Sequence, residues 1–216
     1  MVLKNKYLFV LIALFILMWY NVSSTSEVGT LRLKSGVVKI YTKGKITGSG
    51  FIIKHNKDLI YILTAYHVVE NDDAPFVEFF TYDGGRTHQK IAAQRICFDR
   101  DSDIALLKVS NQDNMPPPEK LYVYKFYSCR LKEQNQIQII GVPADIDSWT
   151  ISDGQIIQVG SDVIFTGFFQ QGNSGGPLVK DDDVVGIVKD SASASCGHAI
   201  PVSLLQLFLD DHDIKL

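Results

Sequence analysis

A chain of 216 residues with net charge -3, 46% hydrophobic and 21% charged residues has the make-up of a globular protein, long enough for one ordinary domain or two small barrels. It contains no low-complexity run and no basic cluster, so nucleic acid is excluded as an expected partner. The three cysteines include no C-x-x-C pair or His/Cys cluster at ligand spacing, so no metal is expected.

The chain opens on a short basic leader, Met1 to Lys6, followed by an unbroken apolar run of 14 residues from Tyr7 to Tyr20. As a helix that run would extend about 21 Å, short of a hydrocarbon core of about 30 Å. A basic leader with a short apolar core reads as a secretory signal peptide over residues 1–26, with cleavage between Asn21 and Ser26. An uncleaved N-terminal anchor, touching the membrane through residues 7–20, is the alternative. Either reading sends the remainder, 27–216, out of the cytoplasm, to a secreted, periplasmic or membrane-anchored state. Cys97, Cys129 and Cys196 then allow at most one internal disulfide. The one glycosylation sequon, Asn21-Val-Ser23, falls in the leader.

Short apolar or alternating runs bounded by Gly, Asn and Asp follow, and they predict strands. Six lie at Val37–Tyr41, Gly50–Lys54, Leu59–Leu63, Phe76–Tyr82, Ile91–Phe98 and Ile104–Val109. The stretch 111–120 carries three consecutive prolines, which cannot pair inside a sheet, and reads as a linker. Beyond it come Leu121–Phe126, Ile137–Val142, Gln155–Val159, Val163–Phe165, Pro177–Val179, Val184–Val188 and Ala199–Val202. Val202–Leu209 is the one helix expected after the leader. Many short, regularly spaced strands predict an all-β barrel or sandwich.

The segment Gln170-Gln-Gly-Asn-Ser-Gly-Gly-Pro-Leu178 carries the chemistry. Glycines on both sides of Ser174 permit a tight turn that a substrate can approach closely. In such a turn the N–H groups of Gly172 and Ser174 can converge on one oxyanion. A serine hydroxyl needs a base and a group to orient that base. Upstream stand His67, after the apolar run Leu59–Leu63, and Asp103, before Ile104–Val109. Taken singly, each has a plain alternative: a structural histidine, a strand-entry aspartate, a surface glycine loop. Taken together they are a nucleophile, a base and an orienting carboxylate. His55, His88, His198 and His212 read as loop or surface residues. Gly172-Asn-Ser-Gly-Gly176 also fits the nucleophile elbow of α/β-hydrolases, but strand-like segments follow where a helix is required, and only 42 residues remain.

With their flanks, these three segments resemble the chymotrypsin-like serine proteases, and the Deg/HtrA branch more than the digestive enzymes. The resemblance rests on Gly48-Ser-Gly-Phe-Ile-Ile53, Thr64-Ala-Tyr-His-Val-Val69, Asp103-Ile-Ala-Leu-Leu-Lys-Val109, the Ser174 segment and Gly197-His-Ala-Ile-Pro-Val202, and runs from about Gly36 to Leu209. It implies two packed six-stranded antiparallel barrels, about 36–110 and 121–202, joined by the linker and closed by a helix over 202–210. It further implies a cleft between them in which His67, Asp103 and Ser174 hydrolyse peptide bonds of protein or peptide substrates without a cofactor. Asn173 stands where the digestive enzymes carry the Asp that pairs with a newly cut N-terminus, and no Ile-Val-Gly-Gly-like site occurs. The resemblance therefore implies no zymogen cut, and no PDZ module is expected. By the same resemblance the primary pocket is lined by Phe168, Phe169, Lys189, Asp190, Ser191, Gly197 and His198. Its apolar floor suits small or medium apolar side chains, or an acidic or Gln side chain if His198 turns inward. A catalytically silent binding module on the same scaffold is the alternative function.

Overall fold

The computed structural model describes residues 27–44, 47–56, 58–81, 83–86, 89–110, 115–191 and 196–215, without the side chains of Asp190 and Ser191. The expected leader at 1–26 with its sequon, the start of the linker at 111–114, and His88 lie outside the described residues.

Residues 27–34 form helix α1, which the sequence reading missed. The N-terminal sheet comprises β1 (Val37–Tyr41), β2 (Thr47–His55), β3 (Leu59–Ala65), β4 (Phe76–Phe79), β5 (Ile91–Ala92), β6 (Gln94–Asp99) and β7 (Ile104–Ser110), in the order β5-β4-β1-β2-β3-β7-β6. The expected single strand Ile91–Phe98 is two strands, broken at Ala93. Its first part pairs with β4 and its second with β7, so both ends of the sheet belong to one kinked stretch of chain. Between β3 and β7, each of the seven β3 residues has a partner, from Leu59↔Ser110 to Ala65↔Ile104. Only β-branched and aliphatic side chains with one alanine fill Ile104–Val109 apart from Lys108, and that strand is buried on both faces except at Lys108.

The second unit is a closed barrel, ordered β10-β13-β12-β11-β8-β9, built from β8 (Gln136–Gly141), β9 (Thr150–Val159), β10 (Val163–Gly167), β11 (Pro177–Lys180), β12 (Asp183–Ser191) and β13 (Cys196–Pro201). Alternation sorts its apolar residues between two cores. Ile137, Ile139, Phe165, Val185 and Val188 fill the barrel interior. Ile140, Val184, Ile187 and Ile200 join the core of the first unit. Helix α3 (Val202–Asp211) closes the fold with Leu205, Phe208 and Leu209 buried.

Leu121–Phe126 is not a strand, contrary to expectation. It crosses between the units in an extended path, held by Tyr124 N–H to the Ile52 carbonyl (2.9 Å) and Tyr127 N–H to the Val184 carbonyl (2.9 Å). Its apolar run is real, but no neighbouring strand offers it a ladder. The buried Tyr124 hydroxyl donates to the Leu33 carbonyl at 2.7 Å, fastening α1 to this crossing. Cys97, Cys129 and Cys196 are free thiols. Burial pushes the Cys97 thiol up to about 11, which keeps it protonated and unreactive near neutrality.

Candidate active site

The strand register sets half of the site. The β3–β7 ladder ends on the rung Ala65↔Ile104, and the next residue, Tyr66, donates its N–H to the Asp103 carbonyl at 2.9 Å. Residues Tyr66–Val69 then form one helical turn, α2, with Tyr66, Val68 and Val69 buried and His67 facing out, its side chain 44% exposed. A one-residue slip of that ladder would turn the segment over and separate the pair.

Asp103 ends a tight turn from β6, with φ +58°. The Asp99 carboxylate fixes that turn by accepting the N–H groups of Asp101 (2.9 Å) and Ser102 (3.3 Å). Burial pushes the Asp99 carboxyl up, but the bonds from Ser102 and Asp101 outweigh it and hold it below the usual range. Left-handed backbone at Asp103 aims its buried carboxylate at His67 through both oxygens. Oδ1 accepts the His67 N–H and Oδ2 lies 2.8 Å from Nδ1, both contacts at the same length. A carboxylate can only accept, so Nδ1 is assigned the proton and Nε2 the free lone pair.

Ser174 comes from the other barrel, in the loop between β10 and β11. A Cβ on Gly48 would come within 2.5 Å of the Val68 side chain and 3.1 Å of the Ser174 carbonyl. The residue after His67 and the backbone of Ser174 thus close on one point of β2. Among the described residues no hydrogen bond joins the Ser174 hydroxyl to His67. In unliganded sites such bonds are often long and tighten when substrate binds.

The backbone of this loop can be accounted for group by group. The Gln171 carbonyl accepts from Ala144 N–H (2.9 Å), and the Asn173 carbonyl from Gly176 N–H (2.9 Å). The Gly172 carbonyl accepts from the Ser49 hydroxyl (2.7 Å) and the Ser174 carbonyl from Ser49 N–H (2.8 Å). Asn173 N–H bonds the Gln170 carbonyl and Gly175 N–H the Val188 carbonyl. Among the described residues from Gly172 to Gly176, the N–H groups of Gly172 and Ser174 have no partner. In a trans peptide the C=O and N–H point opposite ways, so the anchored carbonyls of Gln171 and Asn173 fix where those two N–H groups point. Gly172 has φ +100°, and a Cβ there would meet the Val142 carbonyl at 2.6 Å and Ala144 N at 2.7 Å. Only glycine fits.

The expected pocket residues fall on two pieces of chain. Phe168 and Phe169 follow β10. Phe168 is 55% exposed, whereas Phe169 packs on Phe165 with ring centroids 5.3 Å apart. The β12–β13 ladder pairs Asp190 with His198 and Ser191 with Gly197, and Lys189 sits at its bulge. A Cβ on Gly197 would strike the Phe165 ring, so that aromatic fills the space beneath the ladder. The structure brings His67, Asp103 and the Ser174 loop together and sets the Phe168 and β13 groups on the second barrel.

Sequence reasoning missed two further groups here: Ser49, whose hydroxyl is buried against the loop, and the N–H of Ala144. The signal for Ser49 was in plain view, since a serine between two glycines inside an apolar strand has no reason to be buried unless something accepts from it.

A family model described as the trypsin-like peptidase domain matches residues 48–187. The chain is 32% identical over 177 residues to serine protease HTRA1 of Xenopus laevis, covering 76% of this chain and 35% of that protein. It is 32% identical over 173 residues to a DegP-like periplasmic serine endoprotease of Hahella chejuensis, covering 73% and 34%. With magnetosome formation protease MamE of Paramagnetospirillum magneticum it shares 30% over 181 residues, covering 76% and 23%. The chain thus spans about a third or less of the length of these relatives. A serine endoprotease structure from Yersinia pestis superposes with TM-score 0.69 at 25% identity, covering 85% of this chain and 65% of that one. The Rv3671c protease of M. tuberculosis, at 21% identity and TM-score 0.67 over 82% and 81% of the two chains, shares the fold.

Proposed function

Because the chain belongs to the family of trypsin-like peptidase domains, we propose that it is a serine endopeptidase that cleaves peptide bonds of protein substrates through an acyl-enzyme. The observation that carries this reading is the Ser174 loop, where two N–H groups are left without partners beside a serine, in a chain that also holds a histidine gripped by a carboxylate. Ser174 Oγ attacks the scissile carbonyl carbon while His67 Nε2 takes its proton. The oxyanion settles on Gly172 and Ser174 N–H, donors typically worth about 3 kcal/mol each in such sites. Collapse breaks the C–N bond, and His67 returns the proton to the departing amine. Water, activated by the same imidazole, then hydrolyses the ester. Asp103 holds the tautomer and stabilises the imidazolium.

For specificity, Phe168, Phe169, Lys189, Asp190, Ser191, Gly197 and His198 line the primary pocket. Phe165 beneath Gly197 supports a shallow, apolar floor suited to small or medium apolar side chains. The basic leader and apolar run, with relatives described as periplasmic, support an exported enzyme whose residues 1–26 are either removed or kept as an anchor. Among the described residues no helix is long and apolar enough to cross a membrane.

A silent binding module on the same scaffold is the second reading. Labelling with a fluorophosphonate probe separates the two. The endopeptidase reading expects covalent labelling of Ser174, mapped by mass spectrometry, together with cleavage of an unfolded protein. Absence of both would leave the binding module standing.

A further inference from the structure

Ser49 sits in the middle of β2 between Gly48 and Gly50, is fully buried, and belongs to the barrel that does not carry the nucleophile. Its hydroxyl donates to the Gly172 carbonyl at 2.7 Å and accepts Val142 N–H at 2.9 Å. Its own N–H holds the Ser174 carbonyl at 2.8 Å, and its carbonyl accepts the Thr64 hydroxyl at 2.7 Å. Within the strand it pairs with Lys39 of β1. Val142, Gly172 and Ser174 are all groups of the second barrel. One small side chain from the first barrel therefore joins two separate pieces of the second, the end of β8 and the nucleophile loop.

That junction matters because of what lies on either side of it. Two residues beyond Val142, Ala144 N–H fixes the Gln171 carbonyl, and that bond aims Gly172 N–H. Gly172 itself, without a Cβ and at φ +100°, has no side chain to resist rotation of its peptide planes. The carbonyl of Gly172 and the strand end that bears Ala144 are thus registered against each other through the Ser49 hydroxyl. Space there is tight, since a Cβ on Gly176 would lie 3.3 Å from the Ser49 Cβ.

Resting on the endopeptidase reading above, we propose that the Ser49 hydroxyl is a positioning residue for peptide hydrolysis: it locks the nucleophile loop of the opposite barrel in its oxyanion-binding conformation. It touches neither substrate nor nucleophile side chain, and it acts through Gly172. Loss of the hydroxyl frees the Gly172 peptide to turn, and the cost falls on the transition state, where the oxyanion forms, rather than on substrate binding. A buried hydroxyl that served stability alone would lower melting temperature and leave turnover intact.

The test compares Ser49→Ala and Ser49→Cys with Thr64→Val, which removes a buried hydroxyl bonded to the same residue but hydrogen-bonded to no part of the loop, while the isosteric methyl keeps the packing against Gly175. Peptide cleavage, fluorophosphonate labelling rate and melting temperature are measured on each. Ser49→Ala should lower kcat and labelling rate together by roughly 10–100-fold, below the full loss of a direct oxyanion donor, with KM within about threefold. Thr64→Val should melt earlier yet keep kcat within about threefold. Ser49→Cys, whose thiol is a weak donor, should fall between Ser49→Ala and the native enzyme, and carries the test if the alanine variant does not fold. Native kcat in either Ser49 variant, or an equal kcat loss in Thr64→Val, would overturn the assignment. A native protein that neither cleaves nor labels would overturn the endopeptidase reading, and this inference with it.

Discussion

His67 and Asp103 are placed by one barrel, while Ser174 and its two N–H groups are placed by both. The first pair stands just past the last rung of a continuous strand ladder, so its geometry follows from the register Ala65↔Ile104 and a single tight turn. The second group sits in a glycine loop outside any ladder, with its carbonyls held one by one from β2, the 142–144 segment and the loop itself. A base held by register tolerates change around it, because seven rungs share the load. A loop held by single hydrogen bonds does not share it. The difference predicts where substitutions act on chemistry and where they act on the fold.

Substitution of the proposed nucleophile should give the largest effect. Ser174→Ala should leave melting unchanged and lower peptide cleavage by roughly 10⁴–10⁶-fold. A purified variant keeping more than a few percent of activity would dismiss Ser174. On the register side, Asp103→Asn keeps the shape but can present an amide N–H to Nδ1 and so favour the wrong tautomer. It should cost about 10⁴-fold near neutrality with little change in KM. Full activity in that variant would break the assignment of Asp103.

The loop side is sharpened by Gly172→Ala, which forces a Cβ against the Val142 carbonyl at a φ of +100°. About 10²–10³-fold should be lost in kcat, the worth of one displaced donor, along with some stability. If Gly172→Ala loses stability alone, Gly172 serves packing rather than the oxyanion.

The smallest effect is a pH dependence remote from the site. His55, at the end of β2, has both ring nitrogens buried without a hydrogen-bond partner, and burial lowers its pKa against a weaker opposing pull from Glu119. The unfolded chain then binds the proton more readily than the native one. Stability should be intact above about pH 6.5 and erode as pH falls through and below that value. Melting curves at neutral and mildly acidic pH should show the loss in the native protein and a flatter response in His55→Leu. Equal pH responses would remove His55 as the cause.

Much of the fold was legible because alternation marks a half-buried strand. Val37–Tyr41 agrees with the sequence reading to the residue, and the other ladder strands differ from it at their ends or, for Ile91–Phe98, by a break at Ala93. Leu121–Phe126 shows the limit: Leu-Tyr-Val-Tyr is a short apolar run such as strands carry, but strands are defined by partners, and its hydrogen bonds go to two different barrels. Helix α1 was missed because Gly29 and Thr30 blur any helical period in Glu27 to Lys34, while its stability comes from docking. Of the candidate site, His67, Asp103 and Ser174 were singled out from their flanking residues, since strand ends and glycine loops are local features. The burial of Ser49 had a local signal in its flanking glycines, but its partner Val142 lies 93 residues away, and pairing at that separation leaves no local trace.

Helix α1 also bears on how such a chain could be trimmed. Arg32 pairs with Asp182 of the β11–β12 turn and lies 4.8 Å over the Tyr122 ring, Leu33 is buried, and the Gly36 carbonyl accepts Ile52 N–H at 2.8 Å. This short segment rests on both barrels and on the strap between them, like a peg through a hinge. A cut before residue 27 releases whatever precedes it and leaves the peg in place. A cut a dozen residues later withdraws the peg, and the barrels lose a common brace. Proteolysis near the N-terminus should therefore have a sharp boundary, with the brace kept on one side and lost on the other.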